Sequence, residues 1–278
     1  MTITNEQLAA YCLHLHAEER SAATVAKYLH DVTAFALWLH GAELTKETAA
    51  AWKAELLRRG QAPATVNAAL AALNGLFRFL GREDCRVRFL KVQRRAFRDE
   101  YKELTQGEYA ALVSTARMRG KARLALLIET IGGTGIRVSE VAYITVEAAQ
   151  RGRAEIALKG KIRTILLPAK LCRKLLKYAK ENGFTTGAIF RTSSGKTLSR
   201  RQIWGEMKAI CHAAGVEPSK VFPHNLRHLF AVAFYKVSRD IVKLADVLGH
   251  SSIETTRIYL MTTEKEHQRQ LDRLRLVS

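Results

Sequence analysis

The sequence predicts a mainly α protein in two parts, a four-helix N-terminal bundle and then a mixed α/β part with a small antiparallel sheet. Three observations carry this. Residues 1–80 repeat apolar side chains at three- and four-residue spacing, with Gly41, Gly60 and Pro63 between the repeats. Residues 154–167 alternate on a period of two about a Lys-Gly pair. A chain of 278 residues, 47% of them hydrophobic, can bury two cores.

Residues 6–16 read as the first helix. In residues 21–39, Val25, Tyr28, Leu29, Val32, Phe35, Ala36 and Leu39 form one apolar stripe, and Gly41 ends the helix where glycine is favoured. Residues 45–59 are a third helix, closed by Gly60. Pro63 opens a fourth over 64–80, with Val66, Leu70, Leu73, Leu76, Phe77 and Leu80 on one face. The second and fourth helices both begin near a Thr-Val pair, a likeness that two ordinary capped helices explain without a repeat.

Residues 83–100 lose the periodicity and carry Lys91, Arg94, Arg95 and Arg98. They read as a linker, either solvated or laid along a phosphate backbone. From residue 101 the pattern is mixed. Thr105 and Glu108 form a capping box for a helix to residue 116. Residues 122–131 read as a buried helix, which Gly132, Gly133 and Gly135 interrupt before a helix resumes near Arg137. In the hairpin Ile156 and Leu158 alternate on one arm, Lys159-Gly160 turns, residues 164–167 return, and Pro168 stops the strand. Helices follow over 169–181, 199–214, 225–235, 240–247 and from 253 onward.

Composition narrows the function. The apolar content excludes a disordered chain, and 4 prolines with 17 glycines exclude collagen-like or Pro-rich sequence. No apolar run approaches a membrane span, and the N-terminus lacks a basic start and an apolar signal core. Cys12, Cys85, Cys172 and Cys211 form no CxxC pair, so reduced thiols in a cytoplasmic protein are expected. With 45 Lys+Arg against 26 Asp+Glu, the net charge is +19 and the pI near 10.1. Residues 1–80 are neutral, with 7 basic and 7 acidic groups, while residues 101–278 hold 31 and 15. Such an excess points to a polyanion, most often nucleic acid.

Four segments carry candidate chemistry. In PHNLRH, His224 and Arg227 stand three apart and share a helix face, so an imidazole and a guanidinium can hold one phosphate. In GTGIRVSE, Arg137 stands near a helix start, where the dipole disfavours a cation unless an anion binds beside it. In ALKGKIR, Lys159 or Lys161 projects from a tight turn. In LGHSSIETTRIY, Gly249 permits a sharp turn, His250 lies just ahead of a helix, Ser251 and Glu254 form its capping box, and Tyr259 lies two turns on.

In this order, and through the strings TGIRVSE, HNLRH and LGHSSIETTRIY, the chain resembles the tyrosine recombinase (phage integrase) family over its whole length. The resemblance implies a SAM-like core-binding domain at residues 1–82, a basic linker at 83–100 and a catalytic domain of the DNA breaking-rejoining fold at 101–278. It implies that Tyr259 attacks a DNA phosphodiester, forming a 3′-phosphotyrosyl link and freeing a 5′-hydroxyl. Arg137 and Arg227 would grip the non-bridging oxygens, with His250 a further donor. His224 would act as general acid/base and Lys159 would protonate the departing oxygen. The family's turn often reads Gly-Lys-Gly and is shorter here, which keeps Lys161 as the other candidate acid. Glu140 matches the family's acidic residue near the first Arg and is expected to orient other groups.

Elementary chemistry agrees with these roles. A phenol titrates near pH 10, so cations and a base must activate it. Prepositioned donors stabilise the charge that grows on the phosphate. No acidic ligand cluster and no GxxxxGK[ST] loop is found, so no metal, ATP or other cofactor is implied. Lys91, Arg94, Arg95, Lys161, Arg200 and Arg201 are the candidate DNA-backbone contacts. The function expected is site-specific recombination of double-stranded DNA, with a type IB topoisomerase as the alternative. Binding without catalysis is disfavoured, because nothing in mere binding needs Tyr259. The two-domain plan resembles the simpler Xer-type and transposon-type enzymes, without an additional arm-type domain. Those act as a tetramer on two DNA sites, so the tail 264–278, with Leu271, Leu274 and Leu276 as apolar points, is expected to dock on a neighbouring protomer or fold back in cis.

Overall fold

The structure, a computed structural model, describes residues 2–92, 102–158, 161–260 and 264–274. The chain divides into two compact units, residues 1–94 and 95–278. In the first, α1 (Asn5–Ala17), α2 (Ala22–Leu39), α3 (Lys46–Arg58) and α4 (Pro63–Phe79) enclose one core. Thr4, Ser21 and Thr45 cap the first three helices, each accepting a backbone N–H from the first turn, and Pro63 opens the fourth. The stripe read from the sequence is the buried face: Val32, Phe35, Leu70, Leu73 and Phe77 have essentially no exposure.

The sequence placed the start of the linker at residue 83, and the structure moves it later. A 3₁₀ turn at Glu83–Cys85 buries Cys85, and Val87 follows it into the bundle core. Asn74 pairs with both backbone groups of Val87, at 3.0 and 3.1 Å. Asn67, two turns earlier on α4, does the same for Leu90, at 3.0 and 2.8 Å. Each side-chain amide thus satisfies a donor and an acceptor that irregular backbone would otherwise expose. Lys91 follows, exposed to solvent. The expected backbone contacts Arg94 and Arg95, with Arg98, lie outside the described residues.

The second unit begins with α5 (Gln106–Met118), capped by Thr105 and Glu108 as the sequence predicts, and α6 (Ala122–Thr134). α6 does not stop at Gly132 and Gly133. It runs through them, and the close approach of α5 requires glycine at 132, where a Cβ would come within 2.6 Å of the Tyr109 ring. The helix expected near Arg137 is a 3₁₀ helix, Val138–Tyr143, and α7 (Val146–Arg151) is an element the sequence reading did not find. The hairpin is present as β1 (Arg153–Leu158) and β2 (Lys161–Leu166), antiparallel, with Leu158 opposite Lys161. Ala154, Ile156 and Ile165 face the core, whereas Ile162 and Leu166 face outward.

Helices α8 (Ala169–Glu181) and α9 (Arg200–Lys208) follow, α9 ending well before the expected residue 214. The site is then built by α10 (Pro223–Ser238), α11 (Ile241–Leu248) and α12 (Ile253–Arg257), and α13 (Glu264–Leu274) forms the tail. α6 is buried on nearly every face and is the centre of this core, with α5, α8 and α10 packed round it. All four cysteines are free thiols. Among the described residues no helix is long and apolar enough to cross a membrane.

Candidate active site

Two glycine helix ends and one proline helix start position the catalytic candidates. α6 ends at Gly135 with a left-handed φ of +65°, which turns Ile136 into the core and leaves Arg137 extended at the mouth of the next turn. Pro223 starts α10, so Arg227 falls one turn in and faces the core, 3% exposed, while His224 lies on the same side nearer solvent. Gly249, with φ of +63°, ends α11 and hands the chain to His250. Ser252, not the expected Ser251, caps α12 by accepting the Glu254 backbone N–H. α12 is short, so Tyr259 lies in the following 3₁₀ turn, Ile258–Leu260.

These side chains meet. A pocket of about 880 Å³ is lined by Arg137, His224, Arg227, His250 and Tyr259, with Arg200, Arg201 and Trp204 from α9 on another wall. Tyr259 is 3% exposed, and its ring centroid lies 6.1 Å from His224, 5.9 Å from His250 and 5.2 Å from His228. The six catalytic candidates are therefore brought together except Lys159, which lies outside the described residues. Lys161 begins β2, and its side chain also lies outside what is described.

The electrostatics of the pocket are lopsided. Glu140, buried, accepts the Arg137 backbone N–H at 2.7 Å, an Arg137 guanidinium N–H at 3.1 Å and an Arg163 N–H at 2.5 Å. Glu140 thus places an anion beside Arg137 from within the chain and ties Arg137 to Arg163. Arg163 also donates to the Val247 carbonyl at 3.3 Å, and Arg137 to the Gly249 carbonyl at 3.3 Å. Arg227 donates to the carbonyls of Gly135 at 2.6 Å and Leu248 at 2.7 Å, and to His250 at 2.9 Å. None of its partners among the described residues is a carboxylate. A buried guanidinium held only by dipoles leaves uncompensated positive charge facing the pocket, which favours an anion there. Burial, then the charge of Arg137, lowers the pKa of Arg227. Burial, then Arg227, holds the His224 imidazole below its ordinary pKa, and burial with Arg227, Arg137 and Arg163 brings His250 down to about 4. Both rings are neutral at pH 7.

The sequence reading missed three members of this site. Arg163 reaches from β2 to Glu140 and to the last turn of α11. His228, the last residue of HNLRH, pairs with Glu103 at 3.5 Å while its ring stands beside Tyr259. Trp204, half-exposed beside Arg200 and Arg201, shares their pocket wall. The only sequence signal for the first is an arginine inside a strand, and for the last a tryptophan one turn after an arginine pair.

Comparison with known proteins places the chain. It matches the phage integrase family over residues 102–266 and that family's N-terminal SAM-like domain over residues 8–84. It is 33% identical to the tyrosine recombinase XerC of Roseiflexus castenholzii, over 92% of this chain and 88% of that protein. It is 28% identical to the tyrosine recombinase XerA of Pyrococcus furiosus, over 99% and 96%. The fold matches a lambda integrase tetramer bound to a Holliday junction, with a TM-score of 0.75 at 19% identity over 93% of this chain and 77% of that one. The topoisomerase alternative is not favoured by these relatives. The chain belongs to the phage integrase family and is a tyrosine site-specific recombinase.

Proposed function

We propose that this recombinase cleaves double-stranded DNA by attack of the Tyr259 hydroxyl on the scissile phosphorus. The Tyr259 oxygen bonds to phosphorus, the bond to the 5′-oxygen breaks, and a 3′-phosphotyrosyl link remains. His224 takes the phenolic proton, and Lys159, or Lys161 in its place, protonates the leaving 5′-oxygen. Arg137 and Arg227 hold the non-bridging oxygens and His250 adds a donor. The observation that carries the reading is the convergence of Tyr259, two arginines and two neutral histidines on one pocket with unbalanced positive charge. Since the link conserves the phosphodiester, a second 5′-hydroxyl can reverse it onto a new partner strand.

On this reading residues 1–82, with 83–90 packed against them, clamp the duplex, residues 101–278 perform the chemistry, and Lys91, Arg94, Arg95, Lys161, Arg200 and Arg201 meet the backbone. The relative crystallised as a tetramer on a Holliday junction supports a tetramer on two DNA sites. The tail supports it too: Leu271 and Leu274 on α13 are 49% and 58% exposed, an apolar edge suited to a neighbouring protomer. The protein's four free cysteines suit the reducing cytoplasm as the place where it works.

The test uses a pool of duplexes with a randomised core, nicked so that the short 5′-hydroxyl fragment diffuses away. Wild-type protein should be trapped as an adduct on a denaturing gel, and the trapped DNA reveals the site. Tyr259→Phe should fold and bind the captured duplex yet trap nothing. Arg227→Ala should bind while slowing trapping by about 10²–10³-fold, the loss expected for one transition-state donor. An adduct formed by Tyr259→Phe would assign the attack to another nucleophile.

A further inference from the structure

His250 is held at both ring nitrogens. Its Nε2 lies 2.9 Å from an Arg227 guanidinium nitrogen, and its Nδ1 lies 2.8 Å from the Thr256 hydroxyl. A guanidinium has donors and no acceptor. Nε2 must therefore be the unprotonated, accepting nitrogen. In a neutral ring the proton then sits on Nδ1 and is donated to Thr256 Oγ1. Thr256 has no exposure, so no solvent competes for that hydroxyl. In this tautomer His250 has nothing to donate at Nε2, the nitrogen that shares Arg227 with the pocket. A ring that is to donate to a phosphate must present a proton there.

A threonine hydroxyl both donates and accepts, and only a residue of that kind can serve both tautomers without moving the ring. We propose that Thr256 is a positioning residue that carries His250 between two tautomers: Nδ1–H while Arg227 occupies Nε2 in the DNA-free site, and Nε2–H once a phosphate diester engages Arg227. The exchange is balanced. A proton leaves Nδ1 and one arrives at Nε2 through water, the Thr256 hydroxyl turns from acceptor to donor, and the net charge is unchanged. Thr256 stands three residues before Tyr259, on the short helix that leads into the nucleophile's 3₁₀ turn, so one segment carries both the nucleophile and the residue that sets the phosphate donor. The proposal rests on His250 meeting the phosphate as described above.

The test has two arms on the full-length chain. In the first, ¹⁵N-histidine NMR follows the ring nitrogens, with His250 identified by its loss in His250→Gln. Free protein should show a protonated Nδ1 at His250. Tyr259→Phe bound to the captured nicked duplex should show a protonated Nε2. A protonated Nε2 in the free protein, or an unchanged ring in the complex, overturns the proposal. In the second arm Thr256→Val, which keeps the shape and removes the hydroxyl, should lower the single-turnover adduct rate roughly tenfold with duplex affinity unchanged. Thr256→Ser should match wild type. A wild-type rate in Thr256→Val overturns the proposal. If Thr256→Val does not fold, the NMR arm still decides. Failure of the underlying reading is distinct: wild-type protein would then trap no adduct at all.

Discussion

His250 stands where burial and three arginines act in the same direction, and its pKa falls to about 4. In the unfolded chain an imidazole titrates near 6.5. Between these two values the unfolded state binds more protons, so stability falls as pH is lowered through that window and is complete above it. His224 adds to the effect with the same sign. Melting temperature at fixed ionic strength should therefore drop between pH 7 and pH 5, and drop less in His250→Gln. Equal slopes in the two proteins would mean that His250 is not held neutral by folding. The same physics gives the ring its use, because a neutral imidazole beside a guanidinium can answer an incoming phosphate by moving a proton from one nitrogen to the other.

At the scale of elements, the turn after α11 ties the site together. Gly249 has φ of +63°, and a Cβ there would lie 2.5 Å from an Arg163 terminal nitrogen and 2.6 Å from its Cδ. Gly249→Ala should cost stability by about 1–2 kcal/mol through the left-handed backbone alone. It should also push Arg163 off Glu140 and slow adduct formation. Gly152→Ala is the control: its φ is +71°, but nothing lies within 4 Å. It should lose comparable stability in a denaturant melt and keep its adduct rate. Loss of rate in both, or in neither, would show that contact with Arg163 is not what matters. This turn also marks how far a sequence can be read. The stripes of α2 and α4 and the alternation of β1 and β2 were legible, because a long period reports its own burial. The motif residues were legible because their spacing is local. α7 was not, since six residues span too little of a helical period to show one. Arg163 was not, because its partners Glu140 and Val247 are far away in the chain and only the fold joins them. Asn67 and Asn74 were not singled out, because the backbone of Leu90 and Val87 that they hold meets them only in the fold.

For the whole molecule, charge divides unevenly between the two units. Residues 1–94 carry 12 basic and 9 acidic groups, and residues 95–278 carry 33 and 17. Each unit has its own buried core. Each phosphate neutralised releases condensed counterions, so affinity for duplex DNA should fall steeply and log-linearly with salt. The slope counts the phosphates engaged, and most of the cations that could engage them belong to the second unit. A fragment 95–278 should therefore keep most of the affinity for arbitrary DNA and most of the salt slope. A fragment 1–94 should bind weakly, with a shallow slope. Its helices would add contacts to base edges and enclose the duplex, which raises preference for a particular site more than affinity for any site. Fluorescence anisotropy of both fragments and the full chain, from low to moderate salt, measures this. Should the first fragment carry the larger slope, the few cations of its surface would be the ones that meet the backbone, and the +16 excess of the second unit would serve the reaction pocket and the assembly of protomers instead.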